Sequence, residues 1–127
     1  MKLEVPGLPP TLNAMNRSVN RYARTATKDE WRARYGWALR AAKWKRLRTP
    51  IAFYVLQYSR RERDADALSI TAKFMLDAIV DAGLLPDDGP RYVRKLVLVP
   101  RKAAKGEPER TVFIAQEPSP SAPNVAL

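Results

Sequence analysis

Residues 51–58 read IAFYVLQY, an uncharged run of β-branched and aromatic side chains. Such a run forms a strand in the middle of a sheet, and the segments on either side of it have helical period instead. Before it, Trp31, Tyr35, Ala38 and Ala42 stand at i, i+4, i+7 and i+11, which predicts a helix over 27–46. Thr27 as N-cap with Glu30 three residues on would make a capping box. Asp29 and Glu30 at one end and Lys43, Lys45, Arg46 and Arg48 at the other suit the helix dipole, and Thr49-Pro50 ends the segment. After the strand, Leu68, Ala72, Met75, Ile79 and Ala82 predict a second helix over 67–82, with Gly83 as its C′ residue. Shorter strands are expected over 2–5, 92–99 and 110–115. Between them lie an ordered polar loop over 13–22, a turn over 84–90 and a polar loop over 102–109. The order β-α-β-α-β-β makes an α+β fold, a single domain with a four-stranded mixed sheet and two helices packed on it. The domain is expected over 1–116, and the Pro-rich end, EPSPSAPNVAL over 117–127, as a disordered tail.

At 127 residues one domain is the natural division. The chain has no Cys and no His, which excludes disulfides, thiol chemistry, imidazole catalysis and His-ligated zinc. Any catalysis must use carboxylates, Lys, Arg, Tyr, Ser/Thr or a metal held by oxygen. The 23 Lys and Arg against 13 Asp and Glu leave a net charge of +10, which favours a polyanionic partner. Residues 17–48 hold eleven of the cations and only two acids. Trp37 and Trp44, spaced i, i+7 off the Trp31 stripe, offer base stacking or packing at a dimer interface, and packing is expected. No apolar run approaches the ~20 residues of a membrane span. The opening MKLEVPGLPP lacks the apolar core of a secretory signal. A cytoplasmic protein without membrane contact is therefore expected.

The chemistry concentrates in Arg60-Arg61-Glu62-Arg63-Asp64-Ala65-Asp66, where the central strand hands over to the second helix. In extended chain, Asp64 and Asp66 would point to the same side. Paired like charges need neutralising, either by a divalent cation or by Arg60, Arg61 and Arg63. The plainer alternative makes Asp66 the helix N-cap. Lys73 lies seven residues after Asp66 on nearly the same helical face, and Asp77 follows four residues later. A further acid pair, Asp87-Asp88, sits in the turn. Along a 16-residue helix the two ends stand about 24 Å apart, so one site could hold both acid groups only if the 84–90 loop folded back.

The run Arg63-Asp64-Ala65-Asp66-Ala67-Leu68, then Lys73, then Leu76-Asp77 through Ala82-Gly83-Leu84-Leu85-Pro86-Asp87-Asp88, resembles the RusA family of Holliday-junction resolvases, most closely its phage-borne members. Leu8-Pro9-Pro10 with Asn13 and Asn16-Arg17 resembles the same family's opening P-P-x-x-N element. The resemblance spans roughly residues 3 to 115. It implies a bacterial or phage homodimer that resolves four-way DNA junctions with Mg²⁺ or Mn²⁺. Asp64, Asp66 and Asp88 would be metal-binding catalytic carboxylates, and Lys73 a catalytic or phosphate-contacting lysine. Ala67 replaces the Asn that usually follows the second Asp. DNA contacts are expected from Asn13, Asn16, Arg17, Arg21, Arg24, Arg60, Arg61 and Arg63. Two other readings stay open: a catalytically inactive nucleic-acid-binding module, and a nuclease for flaps or other branched DNA.

Overall fold

The computed structural model describes residues 1–10, 21–61 and 63–118, with backbone alone for residues 21–23, 65 and 66. The elements follow the expected order: β1 (Lys2–Pro6), α1 (Arg21–Ala41), β2 (Ile51–Ser59), α2 (Ala65–Asp81), β3 (Val93–Lys102) and β4 (Arg110–Gln116). The sheet runs β1-β4-β2-β3. β4 pairs antiparallel with both β1 and β2, and β2 pairs parallel with β3. A parallel pair needs a crossover, and α2 supplies it.

β2 alternates between buried and half-buried positions along its whole length. Ile51, Phe53 and Val55 are fully buried beneath the helices, while Ala52, Tyr54, Leu56 and Tyr58 form the opposite, half-exposed face. Phe113 of β4, which pairs with Val55, meets Tyr35 of α1 edge-on with ring centroids 5.1 Å apart and stacks on Phe53 at 6.0 Å. α2 seals the core with Leu68, Ala72, Met75 and Ile79. Full burial of a side chain such as Ile79 contributes about 1.5–3 kcal/mol. Among the described residues no helix is long and apolar enough to cross a membrane.

The first helix departs from expectation at both ends. α1 begins at Arg21, six residues before Thr27, so Thr27 lies inside the helix and the Thr27–Glu30 capping box does not form. A cap is worth about 1 kcal/mol, and Ala23, Arg24 and Ala26 are good enough helix formers to carry the helix past it. The helix stops at Ala41 rather than continuing to Arg46, because Lys43 takes a left-handed conformation with φ 56°. The Lys43 N–H then bonds Arg40 O at 3.0 Å and the Trp44 N–H bonds Leu39 O at 3.1 Å, a Schellman closure. Trp44 and Leu39 are both buried, whereas Ala42, expected on the apolar stripe, is exposed. Trp44 packs in the chain's own core, whereas Trp37 is 70% exposed. The first two residues of the expected tail bond to the domain. Glu117 accepts a 2.8 Å hydrogen bond from the Arg48 N–H, and Pro118 O accepts one of 2.9 Å from the Arg48 guanidinium. Residues 119–127 lie outside the described residues.

Candidate active site

The site starts where β2 runs out. The Ser59 hydroxyl donates to Arg61 O at 2.7 Å, and the Arg60 N–H donates to the Glu109 carboxylate at 3.0 Å. The backbone then reaches Asp64, the N-cap of α2, with φ −66° and ψ 155°. Asp64 O accepts the first helical bond from the Ala67 N–H at 3.0 Å, but its carboxylate makes no capping bond and stays exposed. Two expectations change here. Asp64, not Asp66, is the N-cap, and Asp66 sits in the first turn of the helix rather than in an extended Asp-x-Asp pair. The positive end of the helix dipole favours acids at both positions.

Arg63 turns inward. Its guanidinium donates to Pro9 O at 2.9 Å and to the Gln57 side-chain oxygen at 3.4 Å, and partial burial pushes its pKa down. Gln57 is itself buried, and its amide nitrogen donates to the Thr71 and Thr111 hydroxyls at 3.0 and 3.3 Å. This network ties β2, β4, α2 and the Leu8-Pro9-Pro10 segment together directly beside Asp64. Gln57 was the one polar residue within the IAFYVLQY strand. A buried polar side chain needs partners, so its position was the available signal for the network.

At the far end of α2 the loop folds back. Gly83, at φ 75°, donates to Val80 O at 2.9 Å, and the Leu84 N–H to Ile79 O at 3.0 Å. Leu84 O accepts from the Leu47 N–H at 3.0 Å, and Leu85 is buried. These anchors turn the chain back along the helix until Asp88 accepts a 2.7 Å hydrogen bond from Lys73. Lys73 also pairs with Asp77 at 3.2 Å. Of the two turn acids, Asp88 is half-buried and Asp87 exposed. The hydrogen bond from Lys73 holds the Asp88 pKa down; bonds to Asp88 first and Asp77 second hold that of Lys73 up. Asp88 thus meets the side chain of Lys73, a residue about 10 Å along the axis from Asp66 and on nearly the same face.

The candidate donors Asp64, Asp66 and Asp88 are all hard oxygen ligands, the kind that suits Mg²⁺ or Mn²⁺. The Asp64 carboxylate, exposed and without a capping bond, fits that use. Among the described residues no three acidic side chains converge; the Asp66 side chain is not among those described. Of the residues expected to contact DNA, Arg60 and Arg61 are exposed on the connection before Asp64, and Arg24 is half-buried on α1. Arg63 is the inward clamp. Arg21 stands in the first turn of α1, its side chain outside the described set, and Asn13, Asn16 and Arg17 lie outside the described residues. Lys28, Lys43, Lys45 and Arg46 are exposed and make no ion pair among the described residues. Arg32 and Arg34 are paired with Asp81 and Glu30. No protein-family model matches this chain, and no curated protein matches it significantly.

Proposed function

We propose that the chain is a metal-dependent, structure-specific endodeoxyribonuclease of the RusA kind, acting as a homodimer on four-way DNA junctions. The observation that carries this reading is the return of the 84–90 loop, which sets Asp88 on Lys73 at 2.7 Å. It brings Asp88 onto the Lys73 side chain of the helix that begins after Asp64. The clamp of Arg63 on Pro9 adds support, since it joins the third stretch that carries the family resemblance to the same corner.

Asp64, Asp66 and Asp88 would hold Mg²⁺ or Mn²⁺, which when bound activates water and offsets charge on a scissile phosphate. Lys73 already bonds Asp88; with that carboxylate turned to a cation, its ammonium becomes free to donate to a phosphate oxygen. The Asp77 carboxylate, 3.2 Å away, keeps the ammonium in place meanwhile. Arg60 and Arg61, exposed just before Asp64, would neutralise flanking phosphates. A four-way junction has two-fold symmetry, and a C2 dimer with one site per subunit matches its two opposed nicks.

The test is cleavage of a synthetic four-way junction, with and without Mg²⁺ or Mn²⁺, by the wild type and by Asp64→Asn, Asp66→Asn and Asp88→Asn. Each variant is expected to lose at least about 100-fold in rate while still binding the junction. Salt-sensitive binding with no cleavage under either metal would leave only a binding module. Equal cutting of flaps and junctions would change the substrate.

A further inference from the structure

Trp37 and its surroundings have no role in the chemistry above. Trp31 and Trp44 are 7% and 9% exposed, whereas Trp37 is 70% exposed. The Arg40 guanidinium lies 5.4 Å from its ring centroid. Beside the ring a groove of about 290 Å³ runs between α1 and α2. Its floor is made by small residues, Ala33, Gly36 and Ala78, and a Cβ added at Gly36 would meet nothing within 4 Å. The Arg32–Asp81 ion pair forms one wall, so the acid there is already neutralised.

We propose that Trp37, Arg40 and this groove form a stacking site for an unpaired nucleobase of single-stranded or branched DNA. The proposal rests on the reading of the chain as a DNA-binding protein and adds to it a site for an unpaired base. An exposed indole with a guanidinium beside it is the pairing that holds bases without reading their sequence: the ring stacks on the base and the cation meets its phosphate. The charge of this face favours DNA over a second copy of the chain. With Arg32 paired to Asp81, Arg40 leaves the groove lining net positive, and two such faces would repel. The groove also has a defined place relative to the acids. Asp81 lies fifteen residues along α2 from Asp66, about 22 Å.

Tryptophan fluorescence reads this site directly, because the other two indoles are buried. The full-length protein is titrated with a short oligothymidylate and with a duplex of equal length. The wild type is expected to be quenched by the single strand, and Trp37→Phe to lose that quenching. Trp37→Ala should weaken single-strand binding by roughly 5- to 100-fold with little change for the duplex. Gly36→Leu, which fills the groove and leaves Trp37 in place, should produce the same selective loss. Unchanged single-strand affinity in both Trp37→Ala and Gly36→Leu overturns the proposal, as does quenching that survives Trp37→Phe. A change of sedimentation with Trp37→Ala in place of a change in DNA binding would assign the face to self-association and also overturns it. If junctions are cut while Trp37→Ala binds normally, the stacking site falls and the nuclease stands. Stacking without metal-dependent cleavage keeps the site and removes the nuclease, and no binding to any DNA removes both.

Discussion

Helix α1 and helix α2 close with the same two backbone bonds. In α2 the Gly83 and Leu84 N–H groups reach Val80 and Ile79; in α1 the Lys43 and Trp44 N–H groups reach Arg40 and Leu39. Gly83 enters the left-handed region freely because it has no Cβ. Lys43 enters the same region at a cost of about 1–2 kcal/mol, which burial of Trp44 offsets. One helix therefore ends by backbone freedom and the other by a packing contact several residues beyond its apolar stripe. The two helices also divide the surface. α2 turns Lys73 and Asp77 outward beside Asp88, and α1 presents the cations and the exposed indole of Trp37.

Removing the Trp44 packing contact has the largest expected effect. Trp44→Ala is expected to destabilise the protein by about 3–5 kcal/mol and to fray the last turn of α1, seen as faster amide exchange at Trp44 and Lys43. A loss below about 1 kcal/mol, with the turn intact, would show that Lys43 needs no such support. The next effects come from exchanging the two C′ residues. Gly83→Ala meets no neighbour within 4 Å, so its expected cost of about 1–2 kcal/mol is backbone strain alone. Lys43→Gly should have the opposite sign and stabilise by about 0.5–1 kcal/mol, relief of strain less the entropy of glycine. Denaturant midpoints measure both, and equal signs would sink the comparison.

The smallest effect is at the folded-back loop. The Lys73–Asp88 pair is partly exposed, and such pairs are worth about 0.2–1 kcal/mol. Lys73→Met should cost no more than that, yet speed amide exchange in the 84–90 loop. Asp88 is shifted down and Lys73 up, so the contribution is complete between about pH 4 and pH 10. It is lost at low pH as Asp88 protonates through its lowered pKa, and at high pH as Lys73 deprotonates through its raised one. Loop exchange that is flat across both limits would show that the pair does not hold the loop.

Where the sequence stated its own local reason, the elements could be read directly. β2 was legible because its β-branched and aromatic run has no competing period. α2 was legible because an apolar stripe and a glycine mark its course and end. The early start of α1 was not, since a good N-cap at Thr27 costs little to override. The candidate site was legible as residue types and spacings, Asp64, Asp66, Lys73 and Asp88, but their meeting was not. Asp88 reaches Lys73 because Leu85 is buried and Leu84 bonds Leu47, contacts between segments far apart in the chain. The network of Gln57, Thr71, Thr111 and Arg63 was hidden for the same reason.

The element order, the α+β class, the exclusion of thiol and imidazole chemistry, and a basic stretch set before an acidic one all follow from the order of residues. Periodicity and composition act locally, so they survive without a structure. The contact of Asp88 with Lys73, the inward turn of Arg63, and the exposure of Trp37 beside the burial of Trp44 come from packing between distant segments. Those outcomes depend on which surfaces the packed core has room to cover, and that is a property of the assembled layers rather than of any one segment.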